Sequence, residues 1–224
     1  MFEKCIHRHP TAAAMLQVQY RMHEAIMQFS SGYFYDNKLV ADETVRGHTL
    51  PGQPPFDFID TAGCGFAEKQ DPETLSRYNA DEASLLIQQL ERLIAGVTPE
   101  RWQAEGFTLG IITPYSAQVD RLNHLAEGSL LLEEIKPLVT INTVDAFQGQ
   151  ERDVIAISLV RSNEKNEIGF LSDIRRTNVA LTRARRKLIV VGDSATLTTH
   201  PFYMALLEYV QQNSFYKSAW EFIS

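Results

Sequence analysis

After residue 55 the chain alternates short apolar runs with longer amphipathic stretches, and this alternation restricts the folds open to it. The predicted strands are Phe56–Asp60, Leu109–Thr113, Val139–Asn142, Val154–Val160 and Leu188–Val191. The predicted helices are Ala80–Ile94, Ser116–Ala126, Asp173–Arg185 and Pro201–Gln212. Near-continuous apolar runs are typical of strands that helices cover on both faces. We therefore expect an α/β fold, a three-layer αβα sandwich around a mostly parallel sheet.

The segment before residue 47 is predicted to be helical from Thr11 to Tyr35, with Thr11 as the cap. Its apolar residues at broadly helical spacing are Leu16, Tyr20, Ile26 and Phe29. Gly47 to Pro55 is rich in Gly and Pro and is predicted to be a loop. A chain of 224 residues with 44% apolar residues suits one domain. We assign residues 1–224 to it, with a core at about 11–195 and a C-terminal helical tail at 196–224.

Charge and cysteine usage exclude several classes of protein. A formal net charge of −7 argues against a wholly basic nucleic-acid-binding surface and favours a local basic site. Cys5 and Cys64 are too few for a disulfide framework, residues 1–10 show no apolar stretch typical of a signal peptide, and no later run approaches the ~18 apolar residues of a membrane span. We therefore expect a cytoplasmic protein without a membrane partner, or a nuclear one in a eukaryote. Cys5, His7 and His9 lack a second ligand pair, so no metal site is predicted.

The stretch from Asp173 to Lys187 is the most basic part of the chain, with six basic residues in its last thirteen. On a helix, Arg176, Ala180 and Arg183 would share one face, so that two guanidiniums would project together. A guanidinium stays charged and suits a phosphate or the charge that grows on a transferring phosphoryl group. The alternative is a solvated basic helix with surface ion pairs.

Two further segments combine polar and aromatic side chains. Gln19 to His23 places Tyr20 beside Arg21, an arrangement that could stack on a base and bind phosphate, although core and surface roles are also open. Thr143 to Glu151 is a polar turn between two apolar strands, in which Gly149 permits close backbone approach. The alternative for this turn is an ordinary connection in which Asp145 caps a helix.

Together these segments resemble the C-terminal RecA-like half of up-frameshift-type helicases, superfamily 1 enzymes that move 5′→3′ on RNA or DNA. The resemblance extends from about Leu16 to Asp193. Its four motifs, in the family's order, are Leu16–His23, Thr113-Pro114-Tyr115 with Gln118, Thr143–Glu151 and Arg175–Arg185. One departure is Glu24, which stands where the family often has proline. An acidic helix former there predicts a shifted start of the first helix.

The resemblance implies roles for individual residues. Arg183 would be the arginine finger, and Arg21 would contact the γ-phosphate of ATP. The other residues assigned to the ATP site are Gln19, Tyr20, Gly149 and Glu151, with Tyr20 stacked on adenine. Those expected to face the nucleic-acid backbone are Thr113, Pro114, Tyr115, Thr143 and Val144. Gln148 and Arg176 are expected near the cleft between two domains.

The sequence contains no G-x-x-x-x-G-K-[ST] phosphate-binding loop. Asp81 and Glu82 begin a tetrad that spells the helicase magnesium motif, but a Walker B carboxylate must follow an apolar strand, and Arg77 to Ala80 is not one. Apolar residues continue after the tetrad at helical spacing, so we expect it to open a helix. Early acidic residues there suit the helix dipole.

These observations predict the second RecA-like domain of an ATP-dependent helicase, inactive by itself. ATP and Mg²⁺ are expected in the full-length protein, and the expected partners are single-stranded DNA or RNA and an N-terminal RecA-like domain. Two alternatives remain. The first is a non-catalytic nucleic-acid-binding or partner-binding module that retains the fold, and the second is a self-sufficient nucleotide hydrolase that uses Asp81 and Glu82.

Overall fold

A computed structural model describes residues 15–223, and six parallel strands form its main sheet. They are β3 Phe56–Asp60, β6 Leu109–Thr113, β7 Val139–Thr143, β8 Arg152–Ser158, β9 Ala184–Gly192 and β10 Tyr216–Ser218. Their order across the sheet is β10-β3-β9-β8-β6-β7. Outside it, β1 Val18–Gln19 pairs with β2 Val40–Ala41, and β4 Lys69–Gln70 pairs with β5 Arg77–Tyr78.

Helices cover both faces of this sheet. The helices are α1 Glu24–Tyr35, α2 Ala80–Val97, α3 Pro99–Glu105, α4 Ser116–Glu127, α5 Leu130–Glu134, α6 Ile174–Leu181, α7 Ser194–Leu197 and α8 Pro201–Gln212. Short 3-10 turns lie at Lys136–Leu138, Asp145–Phe147, Gly169–Ser172 and Ala219–Glu221. The predicted αβα sandwich is thereby confirmed.

Side chains alternate along β8 between two apolar cores. Ile155 and Ile157 belong to the core formed with α1, α6 and α8, whereas Val154 and Ala156 belong to the core formed with α2 to α5. All four are at most 1% exposed. A buried aliphatic side chain of this size stabilises a fold by about 1.5–3 kcal/mol. The central strands therefore form a rigid base for the loops at both edges of the sheet.

The predicted helix Thr11–Tyr35 is confirmed from Glu24 to Tyr35 and is wrong over residues 15–23. Residues 15–23 contain the short strand β1, and α1 begins only at Glu24, where the imidazole of His23 accepts a hydrogen bond from the N–H of Ala25 at 3.0 Å. Leu16 and Tyr20 are 88% and 69% exposed, so their helical spacing does not correspond to a buried face. Thr11 lies outside the described residues.

The predicted helix Asp173–Arg185 is also too long. Helix α6 ends at Leu181, and β9 begins at Ala184, because pairing with β8 takes up the chain from that point. Arg176 and Arg183 therefore do not share a helix face, and the expectation that their guanidiniums project together is wrong. Arg183 lies in the turn between the helix and the strand.

The C-terminal segment is more than the predicted helical tail. Strand β10 pairs with β3 at one side of the main sheet, and α8 contributes Phe202 and Leu206 to a core. Residues after 195 are thus packed into the same sandwich. None of the helices between residues 15 and 223 combines the length and the apolar composition of a membrane-spanning segment.

Candidate functional site

The predicted site residues lie at opposite edges of the sheet. Parallel strands place all their carboxyl ends at one edge and all their amino ends at the other. Pro114 follows β6 and Thr143 ends β7, so both lie at the carboxyl edge, whereas Glu151 and Arg183 immediately precede β8 and β9 at the amino edge. The segment 144–151 connects the two edges. The polar turn predicted from Thr143 to Glu151 therefore has its two ends at opposite edges of the sheet.

At the amino edge, one carboxylate binds two guanidiniums. Glu151 forms ion pairs with Arg21 and with Arg185. Burial raises the pKa of Glu151, but the hydrogen bonds from Arg185 and Arg21 outweigh it and hold the pKa below its ordinary value. We call Arg21, Glu151, Arg183 and Arg185 the amino-edge cluster. Its formal charge is positive, because it contains three guanidiniums and one carboxylate.

Arg183 is held by backbone groups. Its Nε donates to the carbonyl of Val179 at 3.0 Å and its Nη1 donates to the carbonyl of Gln150 at 3.2 Å. No ion pair of Arg183 is found among residues 15–223. Partial burial and the nearby charge of Arg21 lower the pKa of Arg183, although a guanidinium stays protonated. An unneutralised guanidinium in a fixed place can bind an anion.

Gln19 shapes the turn that carries Arg21. Its side-chain oxygen accepts hydrogen bonds from the N–H groups of Arg21 and Met22 at 2.9 and 2.8 Å, and its amide nitrogen donates to the carbonyl of Met22 at 2.8 Å. Arg21 in turn donates to the carbonyl of Thr182 at 3.2 Å. Tyr20 is 69% exposed beside this turn, so its ring is accessible to a ligand.

The remaining residues of the predicted ATP site and cleft are exposed. Gly149 has φ +81°, a left-handed conformation that favours glycine, and no atom lies within 4 Å of an added Cβ. Gln148 is exposed on the same connection. Arg176 lies near the start of α6, where its Nε is 3.5 Å from Asp145 and 3.4 Å from Asp173. It is therefore not part of the amino-edge cluster.

At the carboxyl edge, burial corrects three of the predicted nucleic-acid contacts. Thr113 is fully buried, Tyr115 is 4% exposed and Val144 is 8% exposed, because they pack beneath the loops of this edge. Their side chains do not present a surface to a strand. Pro114 and Thr143 are half-buried and remain accessible.

Two residues at this edge were not singled out from the sequence. Phe170 is 62% exposed in the 3-10 turn before α6. Arg161 is 4% exposed and forms an ion pair with Glu68 at 2.8 Å. For Phe170, the sequence offers only the presence of an aromatic residue in the loop between β8 and α6. Its exposure cannot be deduced from the residue type alone.

Glu82 lies in the first turn of α2, as predicted for the tetrad that it belongs to. Its carboxyl group is hydrogen-bonded inside the protein. The side chain of Asn79 caps α2 by accepting from the N–H of Glu82 at 3.0 Å. Glu82 is fully buried and accepts from the hydroxyl of Ser158 at 2.6 Å and from the N–H of Val160 at 2.8 Å. Burial raises its pKa to about 7. The carboxyl therefore joins α2 to the end of β8 inside the protein.

A family model described as an AAA domain matches residues 1–195. The chain belongs to this AAA-domain family. DNA-binding protein SMUBP-2 of Mesocricetus auratus is 36% identical over 100% of the chain, and DNA polymerase alpha-associated DNA helicase A of Saccharomyces cerevisiae is 42% identical over 81% of it. The uncharacterized ATP-dependent helicase MJ0104 of Methanocaldococcus jannaschii is 37% identical over 94% of the chain.

This AAA-domain chain spans 22%, 28% and 31% of the lengths of those three relatives. The resemblance to the C-terminal domain of up-frameshift-like superfamily 1 helicases is thereby confirmed, and with it the RecA-like class of the α/β fold. The two edges can now be interpreted as parts of a helicase domain.

Proposed function

We propose that this domain is the second RecA-like domain of an ATP-dependent superfamily 1 helicase, in which Arg183 is the arginine finger. The observation that carries the proposal is the convergence of Arg21 and Arg183 at the amino edge with a single carboxylate, Glu151. A triphosphate adds the negative charge that this cluster lacks. Two relatives whose names describe them as helicases, one of them as an ATP-dependent helicase, support the same interpretation.

The residues at the amino edge fit a nucleotide presented from a neighbouring domain. Arg183 is fixed by two carbonyls and accessible, so it would donate hydrogen bonds to a phosphate without first being ordered. Glu151 and the turn made by Gln19 position Arg21 beside it. The exposed ring of Tyr20 would stack on the base, and the backbone at Gly149 would line the nucleotide.

ATP, when bound, supplies the phosphoryl group that is transferred to water. This chain's part would be electrostatic, because the guanidiniums of Arg183 and Arg21 would stabilise the charge that grows on the transferring phosphoryl group. The given sequence contains no G-x-x-x-x-G-K-[ST] loop, and Asp81 and Glu82 lie at the start of a helix and do not follow an apolar strand. We therefore expect another domain to hold the phosphates and Mg²⁺, and we expect negligible ATPase activity from the 224-residue chain alone.

At the carboxyl edge, we propose that the half-buried Pro114 and Thr143 contact the backbone of a single strand. Contacts to sugar and phosphate position a strand without selecting its sequence. With the nucleotide at one edge and the strand at the other, closure and opening of a cleft beside Gln148 could move the strand against the sheet. The buried Thr113, Tyr115 and Val144 would support these contacts from below.

The test is steady-state ATP hydrolysis by the full-length protein, stimulated by single-stranded nucleic acid. Arg183→Ala should reduce the rate by about 10³ or more, and Arg183→Lys should not restore it, because one ammonium cannot reproduce the guanidinium fork. Arg92→Ala is the matched control, since Arg92 is an exposed guanidinium on α2, placed over Phe222. A parental rate in Arg183→Ala would contradict the proposal. Absence of hydrolysis in the parental protein would favour a non-catalytic binding module.

A further inference from the structure

Phe170 is an exposed aromatic side chain that the proposed contacts with the strand backbone do not use. It lies at the carboxyl edge with 62% of its surface exposed. It lines the same groove as Pro114 and Thr143, the two accessible residues proposed to contact the strand. An exposed ring beside a path for a sugar-phosphate backbone is placed where a base would come.

The ring of Phe170 is supported from below. Tyr115 is 4% exposed and packs against it, with ring centroids 5.5 Å apart and an angle of 37° between the planes. The hydroxyl of Tyr115 accepts a hydrogen bond from Arg161 at 3.4 Å, and Arg161 is itself buried against Glu68. Phe170 therefore rests on a packed side chain that is tied into a buried ion pair.

The backbone before Phe170 is fixed as well. Gly169 has φ +54°, and a Cβ added to it would lie 2.2 Å from Nη1 of Arg161 and 2.9 Å from the hydroxyl oxygen of Tyr115. Only glycine allows the turn to approach these two side chains so closely. A preorganised ring loses little conformational freedom when a ligand stacks on it.

The groove is small, with a cavity volume of about 30 Å³, so the exposed ring of Phe170 offers a base more apolar surface than the groove does. The exposed face of Phe170 is the accessible apolar surface. Arg176 borders the same groove and is half-exposed in its pairs with Asp145 and Asp173, so a phosphate can compete for it.

We propose that Phe170 stacks on one nucleobase of a bound single strand, while Arg176 binds an adjacent phosphate. This inference rests on the proposed function, because it adds a base-binding subsite to the strand-binding edge. It names the ligand as a nucleobase of any identity, since every base has a π-face and the groove offers no pocket that would select one.

The experiment measures binding of the full-length protein to two fluorescein-labelled oligonucleotides of equal length, dT12 and an abasic strand with the same phosphates. Phe170→Ala should weaken dT12 binding by about 5-fold to 100-fold and leave binding to the abasic strand unchanged. Phe170→Leu keeps an apolar side chain over Tyr115 but removes the aromatic face, so it should behave like Phe170→Ala. Phe170→Trp should retain parental affinity.

The matched control is Trp220→Ala, because Trp220 is a similarly exposed aromatic residue, at 59%, in a different groove. Parental dT12 affinity in Phe170→Ala and Phe170→Leu would overturn the stacking role while leaving the proposed function intact. Equal weakening on both strands would also overturn it, since that result indicates a general disturbance of the edge. If the parental protein binds neither strand, the proposed strand-binding function fails, and the subsite fails with it.

Discussion

Arg21 and Glu151 lie 130 residues apart in the sequence, yet their side chains form an ion pair beside the start of β8. The same carboxylate binds Arg185, the second residue of β9. Glu151 therefore ties the N-terminal turn to two neighbouring strands of the sheet. We expect this contact to set the position of Arg21 relative to Arg183.

Glu151→Ala should impair ATP binding by the full-length protein, because Arg21 and Arg185 lose their common partner and repel each other. The expected result is a rise in KM for ATP of about 10-fold, with a smaller change in kcat, since Glu151 acts through Arg21 and does not touch the reacting atoms. Steady-state ATPase measurements separate the two parameters. Glu24→Ala is the control, because Glu24 forms a comparable half-exposed pair with Arg46. A change confined to kcat would contradict this positioning role.

Gly169→Ala should destabilise the domain by about 2 kcal/mol or more. The substitution places a Cβ at φ +54° and 2.2 Å from a nitrogen of the buried Arg161. Urea unfolding measures the loss. The matched control is Gly47→Ala, which lies on an exposed turn with no atom within 4 Å of the added Cβ and should change stability by at most about 0.5 kcal/mol. Equal stability of both variants would show that Arg161 does not constrain the turn.

Glu82 should make stability depend on pH. Its pKa is about 7 in the fold against 4.5 for an ordinary glutamate, so the folded protein binds the proton more tightly. The contribution of the protonated Glu82 carboxyl to the free energy of unfolding is complete below pH 4.5 and is lost as the pH rises through 7. Urea unfolding of the chain at pH 5 and pH 8 should show a decrease of at most about 3 kcal/mol from this group.

Glu82→Gln should remove the part of the stability loss between pH 5 and pH 8 that comes from the titration of residue 82. A glutamine retains the oxygen that accepts from Ser158 and Val160, and it carries no charge that burial could penalise. Glu133→Gln, at an exposed carboxylate on α5, is the control and should leave the pH dependence as it is in the parental chain. If Glu82→Gln loses as much stability between pH 5 and pH 8 as the parental chain, the buried carboxyl does not titrate in this range.

The strands of the sheet could be predicted from the sequence because burial leaves a strong pattern. The predicted bounds of Phe56–Asp60 and Leu109–Thr113 match the structure, and every residue of these runs is buried, including the charged Asp57 and Asp60. The residues at which helices and strands begin and end were less predictable. Leu16 and Tyr20 have helical spacing but are exposed, and the basic segment to Arg185 continues as a strand because β8 pairs with it.

Candidate site residues could be named from the sequence, but their arrangement in the fold could not. Tyr20, Arg21, Glu151 and Arg183 were assigned by resemblance, and they lie at one edge of the sheet. That Glu151 lies at the edge opposite Thr143 depends on how residues 144–151 pass from β7 to β8, which are separated in the sheet by β6. Burial of Thr113 and Tyr115 likewise follows from tertiary packing.

The central claim is that Arg183 stabilises the charge of a transferring phosphoryl group on a nucleotide held by another domain. The most direct test compares the affinity of full-length parental protein and Arg183→Ala for ADP alone and for ADP with aluminium fluoride, a mimic of that transition state. We expect ADP to bind both proteins alike and ADP with aluminium fluoride to bind the variant about 10³-fold more weakly. Equal loss for both ligands, or no loss for either, would contradict the account.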